Sequence, residues 1–425
     1  MAVLLGGGRW ASHIAVGPVY ITDVLLAGTW LHAIAAHRLR RRTTRRSRPT
    51  LHLVGLAVLL TLVRLLTFEG EPEAVARDAA PFLYMAVAYL SAPSFACAGN
   101  ASRRRTFRIL YGALVVHFGW VALLILAPGF SSNLSTSGGM PLLALRPDFD
   151  TALLGVLTGV SILRFRAKDG NWLNVALAVA SLALALTMHS RAGLLACSAC
   201  VLAGLAGRLS GNGRTTVRTL ASGVTVVLAL LTLLPNSPAG QRLIAGLDST
   251  AYSQEITLNA QGTSNGRKVA WSRTVNYAFA DPVRGLVGVG FGPDFLRSSG
   301  ADIALGSDRF EGVRSPHNYA LTVLARLGTV GLVVIASLLI VIVSAATREL
   351  CTRRGTEPLS ALCVLLVLAI FIASMLGVIL ESPFGAVPFF WAGGILLAFR
   401  PPGHGRKGAW DTRCGGVRQL QGGLR

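Results

Sequence analysis

The chain has 425 residues, of which 52% are hydrophobic and only 14% are charged. Soluble domains carry about 25% charged residues, so this composition is typical of a polytopic membrane protein and argues against a large soluble helical protein. A formal net charge of +21 would suit nucleic acid, but the arginines cluster in short breaks between apolar runs, so we expect a lipid bilayer and no nucleic acid as partner.

Residues 1–180 are predicted to be a domain of N-terminal transmembrane helices. A helix that crosses the hydrocarbon needs about 20 mainly apolar residues. The first span is predicted at residues 14–36 and is followed by a run of arginines, which indicates a cytoplasmic loop. Residues 1–13 have too weak an apolar run for a span. Later spans are predicted at residues 50–68, 79–97, 109–127, 151–163, 172–188, 192–206 and 219–234.

Residues 181–399 are predicted to be a core domain, and its last three spans are expected at residues 328–346, 359–380 and 387–399. The tail, residues 400–425, is basic and glycine-rich, which predicts a disordered cytoplasmic segment. The predicted fold is therefore all-α, a polytopic membrane protein with about eleven transmembrane helices. One large extracytoplasmic loop, residues 235–316, is expected to contain short helices.

The cysteines give no sign of a metal site or a disulfide framework. They lie in or beside apolar runs or in arginine-rich breaks, and none falls in the long polar loop. Cys197 and Cys200 form a CxxC pattern, but they sit in a Leu- and Ala-rich helix. We interpret both as small packing residues.

The outer loop is unusually basic for a segment outside the membrane. Outer loops normally carry few basic residues, so the arginines here cannot be orientation signals. Either they pair with the acids of the same loop, or some of them bind an anion. The basic residues are Arg242, Arg267, Lys268, Arg273, Arg284, Arg297, Arg309 and Arg314.

Three stretches of this loop have distinct patterns. Residues 266–271 begin a helical pattern, with Trp271 expected at the headgroup level of a surface helix. Residues 285–292 are glycine-rich but lack the Lys-Ser/Thr of a phosphate loop, so we interpret them as a tight turn against the membrane. In Ser315-Pro316-His317-Asn318, Pro316 is predicted to start a helix that has His317 in its first turn.

Three motifs of the chain belong together. The first runs from His317 through Leu321 and on to Gly328 and Gly331. The second is Ser190-Arg191-Ala192-Gly193, and the third is Arg267 with Trp271 followed by Leu286 to Gly292. Together these motifs resemble the O-antigen ligase and O-antigen polymerase superfamily, and the resemblance covers about residues 181–399. The chain departs from the pattern at Arg326, where many members carry an acidic residue.

The resemblance implies a lipid-diphosphate-dependent membrane glycosyltransferase. Such an enzyme moves a glycan from a polyprenyl diphosphate onto an acceptor hydroxyl at the outer face of the bacterial plasma membrane. The implied partners are a polyprenyl-diphosphate-linked glycan, an acceptor glycan or lipid, and the bilayer. No cofactor and no metal are expected, because fixed cations can stabilise the charge of a diphosphate leaving group.

The matched residues suit that chemistry. Arg191 and Arg267 are expected to fork onto the phosphate oxygens as a diphosphate clamp. His317 is expected to act as the base, or to position the acceptor hydroxyl. Further glycan or phosphate contacts are assigned to Arg314, Arg284, Asn318 and Tyr319.

Two other classes of function stay open. A solute transporter would call for ionisable groups at mid-membrane and usually for interrupted helices. A non-catalytic partner of a polysaccharide export machine predicts that His317→Ala and Arg267→Ala leave product formation intact. Within the superfamily, the sequence does not choose between a polymerase and a ligase.

Overall fold

The protein is described by a computed structural model over most of its length. The described residues are 1–16, 19–20, 22–24, 27–28, 48–66, 70–96, 98–133, 141–165, 172–209, 237–247, 254–305, 314–352 and 357–398. Within them the structure is helical, apart from short connections and two-residue strands, β1 (Ala15–Val16) and β2 (Val19–Tyr20), which pair antiparallel. The all-α prediction is confirmed.

The helices fall into two groups along the chain. The first group is α1 (Ala2–Ala11), α2 (Arg48–Leu65), α3 (Pro72–Leu83), α4 (Ala86–Ala96), α5 (Asn100–Leu126), α6 (Pro147–Arg164), α7 (Trp172–Thr187) and α8 (Arg191–Leu209). The second group is α9 (Pro238–Leu247), α10 (Gln254–Phe279), α11 (Pro282–Val287), α12 (Phe295–Ser299), α13 (Ala301–Ala304), α14 (Tyr319–Thr352), α15 (Pro358–Met375) and α16 (Pro383–Ala398).

Three of the described helices are long and apolar enough to cross a membrane, namely α5, most of α14, and α15. Four shorter apolar helices accompany them: His52–Leu65, Trp172–Thr187, Arg191–Gly207 and Pro383–Ala398. The predicted count of about eleven spans stays a prediction. The predicted spans at 14–36 and 219–234 lie largely or wholly outside the described residues, as does the tail 400–425.

A seam of small residues joins α6 to α8. A Cβ added at Gly155 would lie 2.5 Å from the Cα of Cys197, and one added at Gly159 would lie 2.7 Å from the Cys200 carbonyl oxygen. Small residues let helix backbones approach this closely, which is how helices associate in membranes. Both cysteines are free and fully buried, in agreement with their interpretation as packing residues.

Helix α1 packs its apolar residues against α5, although residues 1–13 are too weakly apolar to span. Leu4 and Leu5 are buried, and the Trp120 indole on α5 donates a hydrogen bond to the Gly6 carbonyl at 2.6 Å. The backbone kinks at Gly8, where φ is 59°. This kink brings Arg9 towards the start of α6.

The glycine-rich stretch packs against a bend in α14. The bend is at Gly328, where φ is 66°, and it leaves carbonyls of the preceding turn without a helical partner. Val289 N–H donates to the Ala325 carbonyl at 2.8 Å, and Gly290 N–H donates to the Arg326 carbonyl at 2.9 Å. The glycines therefore let this stretch pack backbone to backbone against α14. The sequence predicted a tight turn against the membrane and did not predict this contact with α14.

Candidate active site

A cavity of about 610 Å³ lies where several segments distant in the sequence meet. Arg191, Arg267 and His317, the three residues singled out from separate motifs, all line it. The remaining charged residues of its wall are Arg9, Arg146, Asp148 and Lys268. The wall thus combines five cationic side chains with one carboxylate, and such a wall favours an anion.

Arg191 is the first residue of α8 and is held at the cavity by local hydrogen bonds. The Ser190 hydroxyl accepts from Gly193 N–H at 3.0 Å and so caps the helix. Arg191 donates to the Ser264 hydroxyl at 3.1 Å. A Cβ at Gly193 would lie 2.6 Å from that of Thr151, so glycine is what lets α8 begin beside the first turns of α6. The positive end of the α8 dipole therefore faces the cavity.

Arg267 reaches the same cavity from α10. Its guanidinium donates to the Leu376 carbonyl, just beyond α15, at 3.0 Å. Burial lowers the pKa of Arg267, the repulsion of Arg191 lowers it further, and Asp148 acts in the opposite direction. Two guanidinium groups that repel each other in a half-buried site are stabilised by an anion that both of them can bind.

His317 stands just before α14 in a left-handed backbone conformation, with φ of 56°. The prediction that Pro316 starts the helix and that His317 lies in its first turn is wrong, because α14 begins at Tyr319. Asn318 caps it instead, its side-chain oxygen accepting from Leu321 N–H at 3.3 Å. The Ser315 hydroxyl accepts from His317 N–H at 3.2 Å. A non-glycine residue with positive φ is uncommon and persists only where its surroundings fix it.

Trp271 contributes to fixing that backbone. Its indole donates to the Pro316 carbonyl at 2.7 Å, and its side chain lines the cavity. The residue expected at the headgroup level of a surface helix thus ties α10 to the turn that carries His317. Arg267 and Trp271, one helical turn apart, both serve the same cavity.

The imidazole of His317 is held in its neutral form. Burial lowers its pKa to about 4, helped by the charges of Arg267 and Arg146 and opposed by Asp148. At neutral pH one ring nitrogen is therefore free of a proton and able to accept a hydrogen bond.

Glu381 supports the turn that carries His317, and sequence reasoning missed this residue. Its carboxyl oxygen Oε1 accepts from the Ser315 hydroxyl at 2.8 Å and from the Thr322 hydroxyl at 3.0 Å. Burial raises the pKa of Glu381 to about 7, although the hydrogen bonds from Ser315 and Thr322 oppose the shift. Glu381 follows a long apolar run, and an acid in that position was a signal of a special environment.

Arg9, Arg146 and Asp148 are the other cavity residues that sequence reasoning missed. The Arg146 guanidinium donates to the Asp148 carboxylate, with Nε to Oδ1 at 3.0 Å. Asp148 also accepts from Phe149 N–H at 3.0 Å in the first turn of α6. All three lie outside the motifs, and only the tertiary packing of α1 and α6 brings them to the cavity.

The four residues expected as further contacts lie outside the cavity wall. Tyr319 is fully buried and stacks against Phe82, with ring centroids 6.3 Å apart. Asn318 serves as the cap of α14. Arg284 donates to the Tyr277 carbonyl at 3.0 Å, and its guanidinium lies 4.2 Å from the centre of the Tyr277 ring.

Arg314 belongs to a buried ionic cluster centred on Asp78 of α3. The Asp78 carboxylate lies 2.8 Å from Arg314, 2.7 Å from Arg326 and 3.2 Å from Gly292 N–H. Arg326, where the sequence departs from the superfamily pattern, is only 2% exposed and also donates to the Gly290 and Pro293 carbonyls. Its charge is therefore balanced by an acid from the N-terminal half.

Among the residues that the structure describes, no three His, Cys, Asp or Glu side chains cluster as metal ligands would. The cavity offers guanidinium groups, a helix N-terminus, a neutral imidazole and one carboxylate. These groups can bind a phosphate-bearing anion and accept a hydrogen bond from a hydroxyl beside it.

Residues 175–336 match the family model described as O-antigen ligase. The matched range contains Arg191, Arg267 and His317, whereas Arg9, Arg146, Asp148 and Glu381 lie outside it. No curated protein matches the chain. The resemblance found in the motifs is thus confirmed, because this core region of the chain is similar to the O-antigen ligase family.

Proposed function

We propose that the protein is a membrane glycosyltransferase that moves a glycan from a polyprenyl diphosphate to an acceptor hydroxyl. The observation that carries this proposal is the convergence of Arg191, Arg267 and His317, from three separate stretches, on one cavity. The site faces the extracytoplasmic side of a bacterial plasma membrane, in keeping with the arginine-rich breaks of the sequence on the opposite side.

In this proposal Arg191 and Arg267 bind the donor diphosphate. The acceptor oxygen attacks the anomeric carbon, the bond from that carbon to the phosphate oxygen breaks, and the diphosphate leaves with the electron pair. Guanidinium groups and the α8 N-terminus stabilise the negative charge that develops on the leaving oxygen. Fixed cations provide this stabilisation without a metal ion.

His317 takes the proton of the acceptor hydroxyl in this scheme. The imidazole is neutral before the donor binds, because burial and the neighbouring cations hold its pKa at about 4. A bound diphosphate offsets the charge of Arg267, so it raises the pKa of His317 and makes the imidazole a stronger base. The imidazole therefore becomes a stronger base only when the donor, which carries the leaving group, is bound.

The test is a transfer assay with the full chain reconstituted in lipid vesicles. Polyprenyl-diphosphate glycan is supplied, and products are scored for extended or transferred chains. We expect His317→Ala, Arg191→Ala and Arg267→Ala each to lower the rate by at least about 100-fold, the range of acid–base and electrostatic contributions. Arg297→Ala is the matched control, because Arg297 is exposed on α12 and outside the cavity.

The rival functions give different results in the same vesicles. A non-catalytic partner would leave product formation unchanged in all three variants. A transporter would move solute across the vesicle without breaking the bond between glycan and diphosphate. Polymerase and ligase share the donor chemistry, and the acceptor that is consumed distinguishes them.

A further inference from the structure

The positive charge of the cavity exceeds what a donor diphosphate would neutralise. Five cationic side chains line the wall and Asp148 is its one acid among the described residues. A polyprenyl diphosphate glycan brings a single negative charge on each phosphate. Lys268 is exposed to solvent, but the four half-buried guanidinium groups still outnumber the charges of Asp148 and the diphosphate by one. Such an excess in a half-buried site is unfavourable unless a further anion binds.

The guanidinium groups of the cavity come in two groups from different parts of the fold, Arg191 and Arg267 from α8 and α10, and Arg9 and Arg146 from α1 and the residue before α6. Arg267 is acted on by the charge of Arg191, whereas Arg9 is acted on by that of Arg146. His317 is acted on by one member of each group, Arg267 and Arg146. We call Arg191 and Arg267 the diphosphate end of the cavity, and Arg9 and Arg146 its N-terminal end.

Arg9 is the cation of the N-terminal end that is open to a ligand. Its half-buried guanidinium has no hydrogen bond or ion pair within the described part of the chain, whereas that of Arg146 is engaged by Asp148. Burial lowers the pKa of Arg9, and the repulsion of Arg146 adds to the effect. A half-buried guanidinium in this state favours a carboxylate or phosphate, which it can bind with two parallel hydrogen bonds.

Asp148 lines the same cavity, and its charge acts on Arg9, Arg267 and His317 alike. It sits close to Gly377, where an added Cβ would lie 3.0 Å from its Oδ2 atom. An ionised carboxylate only accepts hydrogen bonds, and sugar hydroxyls are suitable donors. Its position beside His317 suits a sugar ring that presents one hydroxyl to the imidazole and another to the carboxylate.

We propose that Arg9, Arg146 and Asp148 form an acceptor subsite for an anionic glycan, one that carries a carboxylate or phosphate near the hydroxyl that reacts. The inference rests on the proposed function, because only a transfer reaction needs a second saccharide in the same cavity as the diphosphate. It assigns to α1, which lies outside the matched residues 175–336, a part in selecting the acceptor.

The test measures binding, so it does not depend on turnover. The full chain is held in nanodiscs of zwitterionic lipid, and two kinds of probe are titrated. Geranyl diphosphate probes the diphosphate end. The second kind is a pair of disaccharides, a uronic acid disaccharide and its neutral methyl ester. A phosphorylated disaccharide is compared with its unphosphorylated form in the same way, so that a preference for carboxylate can be distinguished from a preference for phosphate. The variants are Arg9→Ala, Arg9→Lys, Arg191→Ala and the control Arg297→Ala.

We expect the acidic disaccharide to bind at least about 10-fold more tightly than its neutral form, and Arg9→Ala to abolish the difference. Arg9→Lys keeps the positive charge and should retain part of the difference in affinity. Geranyl diphosphate should lose affinity in Arg191→Ala but not in Arg9→Ala, and saturating geranyl diphosphate should not displace the acidic disaccharide. Arg297→Ala should change neither affinity.

Equal binding of the acidic and neutral forms would overturn the inference, as would loss of both probes in Arg9→Ala or displacement of one by the other. Either of the last two results would indicate a single anion site. Failure of the proposed function is seen separately, as geranyl diphosphate binding that Arg191→Ala leaves unchanged. Melting temperatures of Arg9→Ala and Arg9→Lys that equal that of the wild type exclude misfolding as the cause of a loss.

Discussion

His317 owes its proposed role to its surroundings more than to its own chemistry. Its backbone is held in a left-handed conformation by Ser315 on one side, while the neighbouring Pro316 carbonyl is fixed by Trp271. Its imidazole is kept neutral by burial and by cations. Arg267, which we propose binds the diphosphate, therefore also suppresses protonation of the base until the diphosphate binds.

This coupling predicts the effect of removing one cation. In Arg267→Ala the pKa of His317 should rise above about 4, because the charge of Arg267 lowers it. Geranyl diphosphate added to the wild type should raise it in the same direction. Nitrogen chemical shifts of the His317 ring, assigned by difference from His317→Gln, measure both effects. An unchanged pKa in both experiments would contradict the coupling, and Arg297→Ala serves as the control.

A second prediction concerns Glu381 and the dependence of folding stability on pH. Its pKa is raised from 4.5 to about 7, so between these values the folded protein holds a proton that the unfolded chain has lost. The contribution of Glu381 to stability is therefore full below pH 4.5 and is lost as pH rises through about 7. His317, whose pKa is lowered, acts in the opposite direction between pH 6.5 and about 4.

Glu381→Gln should remove the Glu381 part of this dependence, because glutamine stays neutral and keeps an oxygen for Ser315 and Thr322. Melting temperatures from pH 5 to 8 should show the variant gaining on the wild type as pH rises. Glu357→Gln, at the start of α15, is the control. A constant difference between Glu381→Gln and wild type across the range would show that Glu381 does not titrate there.

Among the elements, the junction of α14 with the glycine-rich stretch depends on two glycines with positive φ. Gly288 has φ of 75° and Gly328 has φ of 66°, and an added Cβ at either would collide with the backbone of the other segment. Alanine at either position should cost about 1–3 kcal/mol in strain, with more from the collision. Gly112→Ala on α5, where nothing lies within 4 Å of the added Cβ, should cost nothing.

Thermal unfolding of Gly288→Ala, Gly328→Ala and Gly112→Ala measures these differences directly. Because the junction holds α14, and α14 follows the His317 turn, transfer activity should fall in the first two variants along with stability. Equal melting temperatures for all three would mean that the junction is not the rigid support described above.

The Asp78 cluster is the link between α3, Arg314 and α14. Asp78→Asn should destabilise the protein by about 3–5 kcal/mol, because Arg326 would remain buried without its counter-charge. Glu73→Gln, an exposed acid on the same helix, should change stability by less than about 1 kcal/mol. Denaturation of both variants in detergent measures their free energies of unfolding. A loss of less than about 1 kcal/mol in Asp78→Asn would show that the pairing of Asp78 with Arg326 contributes little to stability.

Apolar runs of spanning length predicted the helical class, and three motifs predicted the residues that meet at the cavity, since each motif carries its own local signal. The prediction that α14 starts at Pro316 is wrong because Asn318 caps the helix instead. Asn318 lies three residues before Leu321, which is the spacing of a cap. Arg9 and Asp148 carry no such signal. Their proximity to His317 follows from packing between distant helices, which a linear pattern does not contain.

For the whole molecule, the fold joins N-terminal helices to a core that contains residues 175–336, the range matched by the O-antigen ligase family model. The N-terminal half supplies Arg9, Arg146 and Asp148 to the cavity and Asp78 to the support of α14. The core supplies Arg191, Arg267 and His317. In our two proposals, donor chemistry and acceptor selection belong to different parts of the chain, which would let related enzymes act on different acceptors.

The position of the diphosphate in a donor-bound structure tests the central claim most directly. In a cryo-electron microscopy map of the full chain with polyprenyl-diphosphate glycan, we expect phosphate oxygens within about 3 Å of both Arg191 and Arg267. The anomeric carbon should then face His317. A diphosphate bound elsewhere, or on the opposite side of the membrane from His317, would contradict the account.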